Sequence, residues 1–592
     1  MKSYKAPLKE IDFMMNQVFD FEKHYSSLIN TDELNKETYE AIIKEAAKFS
    51  ENILAPLHSS GDKEGCHWTS EGVKMPKGFV DAYQAYVEAG WPTLSMPIEY
   101  GGQNLPHSLN VIVAELMGQA NHAFMMTAAL SSGARQTLLS HGDDFQKNQY
   151  LTKLVTGEWT GTMCLTEPQC GSDLSFLKTK ATDNLDGTFT LTGTKIYISA
   201  GDHDMAENIV HIVLARLPDA PLGTKGISLF LVPKVLPSSI DDKKNFVKNN
   251  VNCGSIENKM GIHASPTCVL NFDGAIGYLI GKPNEGLKYM FTFMNSARLD
   301  TSLQGLTHSE LALQGALSYS IEREAGRSLR GIQAPDRPAD PLIVHPDIRR
   351  MLLTIKSFAE GSRAFIYYLS QLSDLEKQDD KTASQLMGLL TPISKGFLTE
   401  CGIESANLGI QIYGGHGYIR EMGMEQNLRD ARISTLYEGT TGIQALDLIG
   451  RKILLDSGKT FNLFIDIIRN SYEDLDDFYT GKLILYVDDW EMLSNLIISK
   501  SSDNIDELGS SAFDFLMYSG YTIIAWFWAR MATKADSKLL ECDSSFYRLK
   551  VETAKFYFDK ILPRNQSIAS QIRNGSTSLM KSSINDFKEQ IS

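Results

Sequence analysis

The stretch LYEGTTGIQ, residues 436–444, places one carboxylate, Glu438, between a tyrosine and a glycine. Thr440, Thr441 and Gly442 follow it, and such residues are typical of the start of a helix. Two interpretations fit this pattern. An acidic residue near a helix N-terminus is favoured by exposed amide groups and by the helix dipole. A carboxylate on a turn at the mouth of a pocket could instead act as a catalytic base.

Other common arrangements of catalytic residues are absent from the sequence. It contains no HExxH, no GxSxG and no paired Cys/His spacing, which argues against metal-dependent hydrolysis and a serine nucleophile. No Gly-rich loop follows a strand and opens a helix, and YGGHGY at residues 413–418 does not fit that phosphate-binding template. The 7 cysteines include no CxxC pair and predict neither a disulfide framework nor a metal site.

Length and composition limit the classes of protein to consider. The chain has 592 residues, with 43% hydrophobic and 22% charged residues, as in ordinary globular proteins of several domains. The net charge of −15 disfavours a surface that wraps nucleic acid or anionic lipid. The first 25 residues lack the apolar core of a secretory signal, and the apolar residues 516–529 are too short to span a bilayer. We expect a soluble, cytoplasmic protein without membrane or nucleic-acid partners.

The elements that must position Glu438 begin with a helical region, residues 1–158. Apolar residues at steps of four, three and four predict one buried helix face: Ile42, Ala46, Phe49 and Ile53. Pro56 is expected to end that helix. Similar periodicity continues to about residue 158.

The pattern changes after this helical region. Residues 159–280 contain short segments of alternating apolar and polar residues that predict β-strands, and Asp186-Gly187 indicates a hairpin turn. Helical periodicity returns over residues 281–455 and continues in a further helical segment, residues 456–592. The order is therefore helical, β, helical and helical.

Four segments resemble the acyl-CoA dehydrogenase family, in the family's own order over about residues 40–455. They are CLTEPQCGSD (164–173), GTKIYISAG (193–201), ENKMGIHASPTCVLNFD (257–273) and QIYGGHGYIREMGMEQNLRDARISTLYEGTTGIQ (411–444). The chain is identified as a member of this family. Its length, its opening YKAPLKEIDF and its added helical segment resemble the extended branch that includes 3-methylmercaptopropionyl-CoA dehydrogenase.

The resemblance implies an α+β fold of four parts. These are an N-terminal α-helical domain (1–158), a middle β-domain of barrel or sandwich type (159–280), a C-terminal four-helix bundle (281–455) and an additional α-helical domain (456–592). In this family FAD lies between the β-domain and the bundle. The resemblance also implies a homodimer or a dimer of dimers, with an electron-transfer flavoprotein as redox partner.

The implied reaction removes two hydrogens across Cα and Cβ of an acyl-CoA thioester and yields the trans-2-enoyl-CoA, as in fatty acid β-oxidation. Glu438 matches the family's base for the α-proton, while flavin N5 accepts the hydride. Its amide N–H, with a flavin ribityl hydroxyl, would hold the thioester oxygen. Gly439 would leave room for the substrate, and Tyr437 is expected to contact it.

The resemblance implies contacts with FAD from the β-domain. Residues that would bind the isoalloxazine ring or the pyrophosphate are Thr166, Gly171, Ser172, Tyr197 and Ser199. Tyr197 stands where most family members carry Trp, and Ser199 where they usually carry Thr. The alternative, that these are polar residues on a strand face, stays open at this point.

Further cofactor contacts are implied in the helical region. Arg323 resembles an arginine that reaches the FAD pyrophosphate of a neighbouring subunit, although a solvated helix charge is the alternative. Gln411 and Gly415 resemble contacts with the adenosine half of that same FAD. Thr440 is similar to a pyrophosphate contact at a helix N-terminus. Gly442 replaces a glutamine that is common in the family, so one hydrogen bond is absent.

Substrate contacts are implied at three residues. Arg298 falls where the family has an arginine at the acyl-CoA entrance, and Asn295 replaces a common aspartate, which removes a charge pair. Ser172 is also expected to contact substrate. A short or methylmercaptopropionyl acyl chain follows from the branch alone.

Two other functions remain open on the same scaffold. One is a DNA-associated flavoprotein with little dehydrogenase activity, although residues 455–592 are rich in acidic side chains, as in EDLDDF. The other is an acyl-CoA oxidase that uses O₂. A nitroalkane-type enzyme would carry aspartate at the base position, so Glu438 argues against it.

Overall fold

The computed structural model describes residues 4–29, 31, 34–237 and 246–591. The chain divides into two compact units. One unit consists of residues 37–300, and the other consists of residues 301–592 together with residues 1–36.

The helices of the first part are short to medium in length. They are α1 (Leu8–Phe13), α2 (Phe21–Ser26), α3 (Lys36–Phe49), α4 (Pro56–Glu64), α5 (Phe79–Glu88), α6 (His107–Ala120), α7 (His122–His141), α8 (Asp144–Gln146) and α9 (Thr152–Thr156), with a π-helical segment, Ser50–Leu54, between α3 and α4.

The predicted buried face of α3 was wrong by about one residue. Ala46 is buried as predicted, but Ile42 and Phe49 are only half-buried and Ile53 is exposed. The face that packs inside α3 is Tyr39, Ile43, Ala46 and Ala47. The π-helical segment begins at Ser50, after Ile42 and Phe49, so its wider turn bears only on Ile53, which lies within it. Pro56 begins α4 rather than ending the preceding helix, as suits a proline at the first helical position.

The strands form mainly one sheet. They are β1 (His67–Thr69), β2 (Gly72–Lys74), β3 (Trp159–Cys164), β4 (Lys180–Asp183), β5 (Phe189–Ser199), β6 (Asn208–Ala215), β7 (Ser228–Pro233), β8 (Val235–Pro237), β9 (Phe246–Lys248), β10 (Val251–Ile256) and β11 (Thr267–Ile280). Within the described residues the large sheet has the order β3-β6-β7-β11-β5-β4, and β10 pairs with β11. Among the neighbouring strands of this sheet that the structure describes, only β3 and β6 run parallel.

The hairpin predicted at Asp186-Gly187 is confirmed. Strands β4 and β5 pair antiparallel on either side of it. Gly187 has a φ of +87°, a backbone conformation that glycine adopts without steric cost. The amide of Asn184 donates to the carbonyl of Thr188 at 3.0 Å and closes the turn.

Long helices make up most of the second half of the chain. They are α10 (Gly286–Glu322), α11 (Pro346–Glu376), α12 (Lys381–Tyr413), α13 (Met424–Ala431), α14 (Thr441–Leu446), α15 (Lys459–Asn470), α16 (Asp477–Asp503), α17 (Asp506–Leu539), α18 (Ser545–Phe556), α19 (Arg564–Asn574), α20 (Thr577–Met580) and α21 (Ile584–Lys588). The apolar residues 516–529 lie in α17 and are almost wholly buried, which confirms their interpretation as a core helix. Throughout the described ranges, no helix has the length and apolar character that crossing a bilayer requires.

A buried group of charges joins distant parts of the second unit. The Nζ of Lys550 in α18 contacts the carboxylate of Glu10 in α1, and it lies 2.8 Å from the carboxylate of Glu360 in α11. Beside this group, the ring of Phe13 packs edge-on against Phe546, with centroids 5.7 Å apart. Buried charges are tolerated when they are paired and hydrogen-bonded. The segment from residue 4 onward is thereby an integral part of this unit.

The predicted α+β fold is confirmed, with an N-terminal helical region, a middle β-sheet and C-terminal helices. The boundaries at residues 158, 280 and 455 stay predictions.

Candidate active site

Glu438 lies on a turn between a 3₁₀ segment, Arg432–Thr435, and helix α14. Its φ is +56°, and the next residue, Gly439, has a φ of +86°. A residue other than glycine costs about 1–2 kcal/mol in this left-handed conformation. Such strain persists only where the surrounding structure holds it. The half-buried Glu438 is therefore held in place by its neighbours.

Two buried side chains hold the turn by its carbonyl groups. The Nζ of Lys395, in α12, donates to the carbonyl oxygen of Gly439 at 2.6 Å. The Nε2 of Gln444, in α14, donates to the carbonyl oxygen of Glu438 at 2.8 Å. Both Lys395 and Gln444 are 0% exposed. The two bonds fix the peptide groups on both sides of Gly439.

Thr440, rather than Glu438, caps helix α14. The hydroxyl of Thr440 accepts a hydrogen bond from the amide of Ile443 at 3.3 Å. The hydroxyl of Thr441 donates to the carboxylate of Glu400, in α12, at 2.7 Å. Helix α14 therefore does not need Glu438 as its cap, because Thr440 has that role. This favours the catalytic interpretation of Glu438.

The turn rests on a close pair of helices, α10 and α12. The hydroxyl of Tyr437 donates to Oε1 of Gln304, in α10, at 2.5 Å. A Cβ added at Gly305 would lie 2.1 Å from the carbonyl oxygen of Leu398 in α12. Only glycine at position 305 lets α10 and α12 lie this close together. Both helices contact the turn, α10 through Gln304 and α12 through Lys395.

A second cluster of predicted residues lies at the other end of α10. Arg323, Gln411 and Gly415 are all exposed. The rings of Tyr319 and Tyr413 stack with centroids 4.1 Å apart, which joins the end of α10 to the end of α12. The arrangement brings Arg323 to the same end of the helix pair as residues 411 and 415.

This cluster is distant from the Glu438 turn. Tyr437 contacts residue 304, whereas Arg323 lies 19 residues further along and just beyond α10. At 1.5 Å per residue this separation is about 28 Å. Arg323 and Glu438 therefore do not act on the same reacting atoms within one chain.

In the other unit, the loop after β3 lies beside β5. The carbonyl of Thr166 accepts a hydrogen bond from the amide of Ile196 at 2.9 Å. Gly171 and Ser172 are exposed, and Thr166 is half-buried. The backbone of Thr166 thus pairs with β5, the strand that also carries Tyr197 and Ser199.

Tyr197 lies in a β-bulge. The pairing of β5 with β11 shifts register between Ile198 and Lys195, so two residues of β5 face one residue of β11. Tyr197 has a φ of +59° and is 61% exposed. Bulges of this kind redirect a side chain. An exposed aromatic ring close to half-buried Ser199 fits the stacking of a planar, polar-edged ring such as isoalloxazine.

A buried ion pair supports the same loop. The Nζ of Lys195 lies 2.8 Å from the carboxylate of Glu167, which also accepts from Thr179 and from the amide of Lys178. Burial alone would raise the pKa of Glu167. The charge of Lys195 and these hydrogen bonds outweigh burial and lower that pKa to about 2.

The predicted substrate residues of α10 differ in exposure. Asn295 is exposed, whereas Arg298 is only 6% exposed. They are three residues apart and so lie on neighbouring positions of one helix face. The assignment of both residues to the acyl-CoA entrance stays a prediction.

Sequence reasoning missed Lys395, Gln444 and the Glu167–Lys195 pair. For Lys395 a signal was present, since it is the one charged residue in the mostly uncharged and hydrophobic segment LLTPISKGFL. A lysine is rarely fully buried unless it is paired. For Gln444 and Glu167 no pattern in the sequence distinguishes them from ordinary polar residues.

Models of protein families match most of the chain. The acyl-CoA dehydrogenase N-terminal domain matches residues 36–158, the middle domain residues 162–275 and the C-terminal domain residues 284–454. A model described as acetyl-CoA dehydrogenase C-terminal like matches residues 464–583.

Individual relatives agree with these matches. The 3-methylmercaptopropionyl-CoA dehydrogenase of Ruegeria pomeroyi is 38% identical over 98% of this chain and 100% of its own length. The broad-specificity linear acyl-CoA dehydrogenase FadE5 of Mycobacterium tuberculosis is 30% identical over 95% of this chain and 96% of its own. The crystal structure of an acyl-CoA dehydrogenase complexed with FAD from Bacillus anthracis has the same fold, with a TM-score of 0.71 at 20% identity, and covers 93% of this chain and 90% of that one. The chain therefore belongs to the acyl-CoA dehydrogenase family, whose members are FAD-dependent oxidoreductases acting on acyl-CoA.

Proposed function

We propose that this protein oxidises an acyl-CoA thioester to the trans-2-enoyl-CoA, with Glu438 as the base that removes the α-proton. The observation that carries the proposal is the turn itself. Glu438 is held at a φ of +56° by its backbone contacts, while Thr440 caps the helix that follows. A strained acid that does not serve as the helix cap is typical of a functional position.

The base must be more basic than an exposed glutamate to abstract a proton next to a thioester. Glu438 is already half-buried. A bound acyl chain would exclude the remaining water, and desolvation raises the pKa of a carboxyl group. The amide N–H of Glu438 is proposed to donate to the thioester oxygen, where negative charge develops. When bound, FAD supplies the acceptor for the hydride that leaves Cβ.

We assign the flavin site of one unit to Thr166, Gly171, Ser172, Tyr197 and Ser199. The support is the hydrogen bond from the amide of Ile196, in β5, to the carbonyl of Thr166, and the outward ring of Tyr197 in a bulge of the same strand. The Glu167–Lys195 pair fixes the loop that carries the first three.

The Arg323 cluster is proposed to serve the FAD of a neighbouring subunit. Its exposure and its distance of about 28 Å from the Glu438 turn support this assignment. Gln411 and Gly415 would contact the adenosine half of that FAD, and Thr440 the pyrophosphate of the chain's own FAD. A homodimer, or a dimer of dimers, follows from this arrangement.

The finer identity of the substrate is also a proposal. The relative that is 38% identical acts on 3-methylmercaptopropionyl-CoA by its name, so a short or sulfur-containing acyl chain is proposed first. Ser172, Asn295, Arg298, Tyr437 and Gly439 are the proposed substrate contacts. An electron-transfer flavoprotein as acceptor and a cytoplasmic location are proposed with it.

The test is a panel of acyl-CoA thioesters from C4 to C16, with methylmercaptopropionyl-CoA, assayed with a dye acceptor. Glu438→Gln should retain FAD and lose turnover by about 10²–10⁴-fold, since that is the usual effect of removing a general base. Glu421→Gln, at an exposed glutamate in the same segment, is the matched control. A Glu438→Gln variant with near-normal turnover would mean that another residue is the base. Rapid reoxidation in air without dye would identify an oxidase.

A further inference from the structure

We infer that Lys395 and Gln444 are positioning residues for the base, and that they act through the backbone of Glu438 and Gly439. This inference rests on the proposed function of Glu438. The two donors will be called the carbonyl clamp. Lys395 approaches from α12 and Gln444 from α14.

Of the two donors in the clamp, Lys395 has the higher free-energy cost of burial. Its side chain is 0% exposed and lies in a stretch of α12, residues 389–398, that has no other charged residue. Burying an ammonium group costs several kcal/mol unless it is hydrogen-bonded and paired. Its bond of 2.6 Å to the carbonyl of Gly439 is a charge-assisted hydrogen bond, which is about twice as strong as a neutral one. Packing alone would be served better by leucine or methionine at this position.

The side-chain amide of Gln444 can donate a hydrogen bond to the carbonyl of Glu438 in only one of its two flipped orientations. Its Nε2 donates to the carbonyl of Glu438, and among the described residues no donor reaches its Oε1. Reversing the amide would set two oxygens against each other, so the amide group must face the turn as it does. Gln444 is fully buried, and its amide is therefore fixed.

Together the two bonds define the path of the backbone. The carbonyl of Glu438 is drawn toward α14 and the carbonyl of Gly439 toward α12. The peptide planes on both sides of Gly439 are fixed as a result. Without the clamp, Glu438 can relax from its left-handed conformation into the broadly allowed regions. The carboxylate would then move, and a displacement of about 1 Å can reduce the rate 10²-fold.

Two variants test the clamp, with one control. Lys395→Met removes the charged donor and keeps the volume of the side chain, and Gln444→Leu removes the other donor. Ser394→Ala is the matched control, because Ser394 is buried on the same turn of α12 and bonds Ser302 at 3.0 Å instead of the Glu438 turn. Each variant is assayed for bound FAD, kcat, KM and the isotope effect with substrate deuterated at Cα.

For Lys395→Met we expect retained FAD, a KM within a few-fold of the native value and a kcat lowered by about 10²-fold. The deuterium isotope effect on kcat should rise, because proton removal becomes more strongly rate-limiting. Gln444→Leu should change the same quantities in the same direction, and Ser394→Ala should change none. A purely structural role would lower the number of active molecules and leave the isotope effect unchanged, and that result would overturn the inference.

A crystal structure of Lys395→Met provides a readout that needs no activity. We expect Glu438 to leave its φ near +56°. If the turn is unmoved, the clamp is wrong whatever the kinetics show. If the native enzyme oxidises no thioester, the proposed function fails instead, and the crystal structure still decides whether Lys395 and Gln444 hold the turn.

Discussion

Substituting Gly439 by alanine gives the sharpest test of the turn that carries Glu438. At its φ of +86° an L-residue other than glycine costs about 1–2 kcal/mol. The new Cβ would lie 2.7 Å from Nε2 of Gln444, so that amide must move away. Losing its hydrogen bond to the carbonyl of Glu438 adds about 0.5–1.5 kcal/mol. The total destabilisation is about 1.5–3.5 kcal/mol, and it acts on the turn that carries Glu438.

Gly442 offers a control three residues away. It lies in α14, is exposed, and an added Cβ would come no closer than 3.9 Å to the hydroxyl of Thr440. Alanine is favoured over glycine inside a helix by about 0.8–1 kcal/mol. Gly442→Ala should therefore stabilise the protein slightly, whereas Gly439→Ala should destabilise it.

The assay compares thermal unfolding and turnover of both variants with the native enzyme. Gly439→Ala should lower the unfolding temperature and reduce kcat by about 10²-fold, since the carboxylate is displaced. Gly442→Ala should keep native turnover with an equal or higher unfolding temperature. Equal behaviour of the two variants would refute the reasoning, because neither the left-handed backbone nor the contact with Gln444 would then matter.

Three further predictions concern the charges around the two sites. Lys195→Met should lower the free energy of unfolding by about 3–5 kcal/mol in urea titrations, because it leaves the buried charge of Glu167 without its partner; an unchanged midpoint would contradict this. The depressed pKa of Glu167, about 2 against an ordinary 4.5, means that its stabilising contribution is complete above about pH 4.5 and is lost as the pH falls toward 2. Acid unfolding followed by circular dichroism should show this window in the native protein, and Glu167→Gln should lack it. Arg323→Gln should reduce the FAD retained on gel filtration, with exposed Arg330→Gln as control, and equal FAD content in both would remove Arg323 from the cofactor site.

The features that sequence could predict are local ones. The hairpin at Asp186-Gly187 depends on residues adjacent in the chain, and the apolar character and short length of residues 516–529 suffice to predict the buried part of α17. Glu438 could be singled out as a candidate because the glycine after it and the helix start at Thr440 are its neighbours in sequence; its role as the base stays a prediction.

The features that sequence could not predict depend on distant or irregular contacts. Lys395 reaches a carbonyl 44 residues further on, and no periodicity reports such a pairing. The outward ring of Tyr197 depends on a register shift between β5 and β11, which the alternation of residues does not encode. The exposure of Ile53 depends on the π-helical segment Ser50–Leu54, which the spacing of a regular helix does not anticipate.

The buried ion pair between Glu10 and Lys550 has a consequence for folding during synthesis of the chain. These residues are 540 positions apart, so at 5–20 residues per second the ribosome needs roughly 30–110 s to deliver the second after the first. During that interval residues 8–13, too few to form a stable helix alone, lack their packing partner, and by its end the whole unit of residues 37–300 has emerged. Until residue 550 arrives, the apolar side chains of the opening segment are exposed to water unless a chaperone covers them, and synthesis halted before that residue would leave them prone to aggregation.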